Sequence, residues 1–255
     1  MTNDHAKRCL LAQQCKLAGT DACKPTCQHF IQLHGMSGTG GRAAAAGVPT
    51  DYAKVTMTNS PARASQPKAY SALDAYVKTF ERQFDEDASR IKSLYLWSAS
   101  PGTGKTTSAA AALNAWLTAH YLGSLKRDRK ALQQPAYWLD VNELQTLYNK
   151  FNRSGIAREV AEKSSKEYYR RLASAEEAPF AVYDDIGVRS ATEGYRADLH
   201  SSINARVASA KPTIYTSNLA MEELTHIFDA RLYDRIRDMC APIHFEGESK
   251  RGMRR

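Results

Sequence analysis

The stretch Ala99-Ser100-Pro101-Gly102-Thr103-Gly104-Lys105-Thr106-Thr107 follows an apolar run, Leu94-Tyr95-Leu96-Trp97, and precedes a helix-forming segment from Ser108 to Leu117. A strand, a glycine turn and a helix N-terminus in that order aim backbone N–H groups and the positive end of a helix dipole at a β-phosphate. In such a loop Lys105 reaches the β/γ-phosphates and Thr106 a Mg²⁺ ion, so the spacing marks a nucleoside-triphosphate site. Ala99 stands where the pattern usually opens with Gly. Close backbone approach falls to Gly102 and Gly104, so alanine is accepted there.

Downstream, three further stretches carry chemistry. Phe180-Ala181-Val182-Tyr183-Asp184-Asp185 is an apolar strand ending in two carboxylates. Such a strand delivers one acid to the Mg²⁺ shell, here Asp184, and a second to polarise the attacking water, here Asp185. Pro212-Thr213-Ile214-Tyr215-Thr216-Ser217-Asn218 ends in an amide able to hold that water as neutral donor and acceptor. Phe228 to Ile236 reads as a short helix with Arg231 and Arg235 on one face. An arginine supplied to a neighbour's γ-phosphate stabilises transition-state charge and couples hydrolysis to assembly.

The rest of the chain frames these motifs. Strands are predicted at 93–97, 136–140, 180–184, 213–217 and 242–246, with helices between them, the pattern of a parallel α/β sheet. Apolar residues Leu73, Tyr76, Val77, Phe80 and Phe84 recur at helical spacing over 70–88. Two helical stretches, 141–152 and 155–176, fill the second crossover, which is more than closing a sheet requires. On the later one Lys163, Lys166 and Arg170 share a face, with Tyr168, Tyr169 and Arg171 adjacent, a composition suited to phosphates and bases. Glu159–Lys163 and Glu162–Lys166 pairing on a solvated face accounts for the same residues.

With 255 residues the chain can bury one α/β core and a small appendage. The net charge of +8 leans towards a polyanionic partner without deciding it. The N-terminal residues are polar, and no apolar run has membrane-spanning length, so a cytoplasmic protein with no membrane partner is expected. Residues 1–34 form a Cys-rich head, 35–69 a linker rich in Gly, Ala, Ser and Pro, and 70–255 the ATPase domain. Cys9, Cys15, Cys23 and Cys27, with His5, His29 and His34 close by, suggest a structural Zn²⁺ in a segment too small for its own core. No C-x-x-C pair is present, and reduced thiols are the alternative. Cys240 reads as a small core residue.

Taken in order, these motifs resemble the AAA+ ATPases. The wording Asp184-Asp185-Ile186-Gly187, Tyr215-Thr216-Ser217-Asn218-Leu219 and Arg231-Leu232-Tyr233-Asp234-Arg235-Ile236 is similar to the bacterial DnaC/DnaI-type replicative helicase loaders, over about residues 68 to 250. IstB-type transposition helpers are related to that group. The resemblance implies Walker A at Lys105 and Thr106, Walker B at Asp184 and Asp185, sensor 1 at Asn218 and the arginine finger at Arg235, with Arg231 a second candidate. Asp185 departs from the pattern, where Glu is common; one methylene shorter, it implies slow hydrolysis.

Twenty residues follow Arg235 in this sequence, so a C-terminal lid domain is not expected, as in the DnaC-like group. Lys250, Arg251, Arg254 and Arg255 then read as a solvated basic tail. The inserted helix matches the place where initiators and loaders line a channel for single-stranded DNA. The Cys-rich head resembles a helicase-contacting module. Its spacing, with Leu33-His34-Gly35 to Gly40-Gly41-Arg42, is similar to loader-like proteins of phages. The resemblance thus implies a homo-oligomeric ATPase that uses ATP and Mg²⁺, partners a DnaB-type ring helicase and assists its placement on single-stranded DNA. An IstB-type helper and a nucleotide-binding adaptor without hydrolysis are the rivals.

Overall fold

Strands buried on both faces need apolar residues at nearly every position. The strands at 93–97, 136–140 and 180–184 meet that demand up to their ends, whereas that at 213–217 buries Thr213, Thr216 and Ser217 and the edge strand at 240–244 exposes Pro242 and His244. The computed structural model describes residues 4–187, 191–226, 228 and 230–249. β1 (Ser93–Trp97), β2 (Ala136–Asp140), β3 (Phe180–Asp184), β4 (Thr213–Ser217) and β5 (Cys240–His244) form one parallel sheet in the order β2-β3-β4-β1-β5. The first four match the predicted ranges. β5 begins two residues earlier than the predicted 242–246, with Ser93 opposite Cys240 and Trp97 opposite His244. Pro242, which cannot donate to a ladder, is tolerated because β5 is an edge strand.

Alternation along the strands divides the core in two. Leu94, Leu96, Trp138, Val182 and Ile214 face α3 (Pro67–Lys78) and α4 (Lys105–Lys126). On the other face Tyr95, Tyr183 and Tyr215 pack among α5 (Val141–Phe151), α6 (Arg158–Glu177), α7 (Glu193–Ala208) and α8 (Ala230–Met239). The fully buried Ala109 to Ala112 run lets α4 lie close to the sheet behind residues 98–104. Pro67 opens α3 at a position suited to it, and the predicted helix over 70–88 ends at Lys78, continuing as a 3-10 turn over Thr79–Phe84. α6 starts at Arg158, three residues later than predicted, because Gly155 at φ +79° turns the chain between the two helices.

The head and the following segment fold onto this core. A series of i→i+3 turns builds residues 9–27, followed by α1 (Gln28–His34). Leu11 and Leu33 join Tyr121 of α4 and Ala131 in a separate apolar cluster. His34 Nε2 accepts from Leu10 N at 3.1 Å, and burial lowers its pKa to about 4, keeping it neutral. His29 Nδ1 meets the Tyr121 hydroxyl at 2.9 Å.

The small residues after the head carry close packing. Trp138 N donates to Ala46 O at 2.7 Å, so the chain after α2 (Gly41–Ala45) covers the β2 edge of the sheet. Arg42, only 3% exposed, donates to Gln32 O, Ala131 O and Leu132 O at 2.8–2.9 Å. Among the described residues no helix is long and apolar enough to cross a membrane.

Candidate nucleotide site

The site lies at the carboxyl ends of the strands, where β1 runs through the loop 98–104 into α4. Gly102 (φ +72°) and Gly104 (φ +105°) hold left-handed backbone that side chains resist, turning the loop tightly enough to present its N–H groups. A Cβ on Gly104 would stand 2.5 Å from Ala62 Cβ, so the segment before α3 rests on the loop. Lys105 Nζ donates to Ser100 O at 3.1 Å and Ser98 O at 3.4 Å, folded into the concave side of its own loop. Thr103 Oγ1 is buried and has no hydrogen-bond partner among the described residues, a polar group that a phosphate oxygen would satisfy.

Two distant motifs meet at one oxygen. Asp184 Oδ1 accepts from Thr106 Oγ1 at 3.1 Å and from Thr216 Oγ1 at 2.6 Å. The carboxylate is 9% exposed, and burial pushes its pKa up to about 6, against the pull of those two hydroxyls. Asp140 and Asp185 add repulsion. A buried carboxylate beside a hydroxyl of the phosphate loop suits a divalent cation, which would offset its desolvation.

Asp185 occupies left-handed backbone at φ +64°, a strained place for a non-glycine residue. Three contacts hold it there. Its N–H donates to Thr216 Oγ1 at 2.8 Å, Asn142 Nδ2 donates to Oδ2 at 2.7 Å, and Asn218 Nδ2 donates to Oδ1 at 3.2 Å. Asn218 therefore sits beside Asp185 at the end of β4, as the sequence places it, while Asn142 enters from the start of α5.

Several residues in this constellation escaped the sequence reading. Thr216 bridges both acids. Asp140 pairs in register with Asp184 and caps α5, accepting from Glu143 N at 2.8 Å. Gln66 spans the nucleotide loop and the end of β5, its Nε2 donating to Thr103 O at 3.2 Å and Glu246 O at 2.7 Å while Oε1 accepts from Glu246 N at 3.2 Å. Strand-end polar residues and a Gln before Pro67 are signals only once the register is known.

Arg235 lies exposed on α8, hydrogen-bonded to Asn204 of α7, and none of the site's hydrogen bonds among the described residues involves it. The side chain of Arg231 and the tail residues Lys250, Arg251, Arg254 and Arg255 lie outside the described residues.

Two expectations need correction. Tyr168 is not available for base stacking: it is fully buried, donates to Asp198 Oδ2 at 2.8 Å and packs against Tyr148, Phe151 and Tyr195. Arg170 and Arg171 both pair with Glu167 at 2.7 Å, and Arg171 with Glu143 at 2.7 Å, holding the Glu167 carboxyl down at about 2. Glu162 pairs with Arg158 instead of Lys166. Lys163, Lys166 and Tyr169 lie on the outer side of the helix, with Tyr169 57% exposed.

The second correction concerns Cys9, Cys15, Cys23 and Cys27. Among the described residues no group of three or more His, Cys, Asp or Glu is placed to hold a metal ion. Burial pushes the Cys9 thiol up, with smaller effects from the other three cysteines. The head is organised by its contacts with α4 and the buried His34, so the donor set does not fit zinc as arranged and no role is routed through one.

A glycine-turned loop between β1 and α4, an acid pair closing β3 and an amide closing β4, on a parallel sheet of this order, match the fold of the AAA+ P-loop proteins. Within that class the likeness is to the DnaC/DnaI-type helicase loaders. The chain is 31% identical over 94 residues to the replicative helicase loader DnaI of Bacillus subtilis (strain 168), a match covering 32% of this chain and 30% of that protein. The crystal structure of DnaI superposes with a TM-score of 0.54 at 22% identity, covering 80% of this chain and 94% of that one. That of the DnaC helicase loader gives 0.53 at 19% identity, over 78% of this chain and all of the other. At those identities the superpositions speak to fold. No family model matches the chain.

Proposed function

We propose that this protein is an ATP-dependent loader that binds a ring-shaped replicative helicase and assists its placement on single-stranded DNA. The observation that carries the reading is the Thr106–Asp184 hydrogen bond, which joins phosphate loop and acid strand across 78 positions of sequence. It is supported by the unpartnered Thr103 hydroxyl and by the partial sequence likeness to a protein described as a replicative helicase loader.

In this reading Gly102 to Thr106 would hold the triphosphate, and Thr106 and Asp184 would hold Mg²⁺, which would neutralise charge on the phosphates. Lys105 leaves its own carbonyls for the β/γ-phosphates. Asp185 releases the Asn218 amide from Oδ1 to accept a proton from water, which the freed Asn218 amide orients, while Asn142 keeps Oδ2. Exposed Arg235 serves the site of a neighbouring copy, which makes the working form a homo-oligomer. The head, packed on α4, contacts the helicase, and Lys163, Lys166 and Tyr169 face single-stranded DNA.

One observation favours the adaptor as a second reading. Both oxygens of the short Asp185 carboxylate are engaged by amides, an arrangement that slows hydrolysis or prevents it. The test is transfer of purified replicative helicase onto a circular single strand, with and without ATP. ATP-dependent transfer that fails with Lys105→Ala is expected. Equal transfer by wild type and Lys105→Ala would remove ATP from the proposal, and no complex with the helicase would remove the loader.

A further inference from the structure

At the opposite end of the sheet from the nucleotide site, a groove of about 590 Å³ opens between the 3-10 turn Thr79–Phe84, the C-terminal half of α4, the α4–β2 loop and the segments entering β3 and β4. Its lining is mainly apolar, with Phe84, Ile91, Trp116, Pro179 and Pro212 beside the polar Gln83, His120 and Ser124. Trp116 is no stacking platform: it is 2% exposed, stacked on Phe180 at 4.8 Å, and its Nε1 donates to Pro135 O. Leu132, half exposed, stands at the rim.

The rim has a strong charge bias. Arg82, Arg90, Arg129, Lys130 and Lys211 line the groove, against Glu177 as its one carboxylate. Lys211 caps carbonyls of Glu176 and Glu177, and Arg90 reaches Met239 Sδ. Arg82, Arg129 and Lys130 make no side-chain ion pair among the described residues. The acidic run Asp85-Glu86-Asp87 lies on the neighbouring loop, outside the lining.

The walls are tied together before any ligand arrives. His120, buried and lowered to about 4, meets Gln83 Oε1 at 2.8 Å through Nδ1 and accepts from Leu132 N at 3.1 Å through Nε2. Arg127 lies over the Phe84 ring at 4.4 Å and pairs with Glu81. A preformed groove loses little entropy on binding.

We propose that this groove is a docking site for an acidic segment of a partner protein, with apolar side chains seated on the Ile91–Pro212 floor and carboxylates paired to Arg82, Arg129 and Lys130. Charge complementarity selects the occupant. Its apolar floor needs aliphatic or aromatic side chains, and its unpaired guanidinium and ammonium groups need carboxylates. A nucleic acid would find the phosphates' partners but no exposed aromatic face to stack on. The site is remote from Lys105 and Asp184, so it acts whether or not nucleotide is bound and does not rest on the loader reading.

Fluorescence anisotropy on the full chain tests this with three probes. They are a labelled peptide of roughly ten residues alternating Asp or Glu with Leu or Phe, the same peptide with Ser at the apolar positions, and labelled oligo-dT. The acidic apolar peptide is expected to bind, with affinity reduced at least about tenfold by the Ser exchange and by the paired charge reversals Arg82→Glu and Lys130→Glu. The reversed variant is expected to keep the wild-type circular dichroism and nucleotide affinity. No binding of the acidic apolar peptide, equal binding of its Ser counterpart, or an unchanged affinity in the reversed variant would each overturn the proposal. So would oligo-dT binding that is tighter than the peptide's and lost in that variant.

Discussion

Replacing Asp184 by Asn should strengthen the empty protein while disabling its site. The carboxylate is buried, and its pKa is pushed up from 3.8 to about 6. At pH 7.5 the folded state therefore carries an ionised group whose charge burial penalises relative to the unfolded chain. A shift of that size corresponds to about 3 kcal/mol of destabilisation, an upper bound because the neutral replacement must still be packed. Both hydroxyl bonds go to Oδ1, and the amide oxygen of the replacement can accept them, so Asp184→Asn should gain about 1–3 kcal/mol in EDTA without nucleotide. The sign has a pH signature. Folded Asp184 binds its proton more readily than the unfolded chain does, so the wild-type deficit is full above pH 6 and fades as pH falls towards 4. Urea denaturation from pH 4 to 8 reads this directly. Adding Mg-ATP should then stabilise wild type by about 2.7 kcal/mol at a hundredfold excess over Kd, and the variant by much less. A variant weaker than wild type in EDTA at pH 7.5, or one with an undiminished Mg-ATP response, would refute the reasoning.

Gly104→Ala combines left-handed backbone with a 2.5 Å approach to Ala62 Cβ, so titration with a fluorescent ATP analogue should show loss of binding. Ala62→Gly in the same chain should recover part of it by relieving the clash. Tyr168→Phe should cost about 1 kcal/mol of stability through the lost Asp198 bond and leave single-stranded DNA affinity unchanged, whereas Tyr169→Ala should lower that affinity with little effect on folding. Buried His34 and His120 are both lowered from 6.5 to about 4, so the fold resists protonating either ring while the unfolded chain does not. Stability should therefore fall as pH drops from 6.5 towards 4, by at most about 3 kcal/mol per residue and by less where solvent screens the charge. His34→Gln and His120→Gln should flatten the acid limb of a thermal stability profile.

β1, β2 and β3 were legible because a doubly covered parallel strand has no polar face, leaving a nearly continuous apolar run between turns, while β4, with buried Thr213, Thr216 and Ser217, was legible by its β-branched and aromatic residues instead. Lys105, Thr106, Asp184 and Asn218 were legible for a related reason: each sits at a strand end or helix start that local sequence already marks. Residues defined by register were not. Asn142 and Thr216 touch Asp185 only because β2, β3 and β4 end at one level, which no local pattern states.

Arg206 shows the same limit in the core. A helix arginine reads as solvated, yet it is fully buried and donates to Thr213 Oγ1 and to carbonyls of Ala175, Ala178 and Pro212, tying α6 to β4. Composition misled where small residues mean proximity. The Gly- and Ala-rich stretch after His34 suggests free chain, but Gly41 allows contact with the Leu33 carbonyl and Ala46 pairs with β2.

Steady-state ATP hydrolysis by the full chain with Mg²⁺, with and without single-stranded DNA, bears most directly on the proposed activity. Slow turnover is predicted, abolished by Lys105→Ala and by Asp185→Ala. No turnover in any sample, with ATP still bound by wild type, would contradict it and leave a nucleotide-binding adaptor.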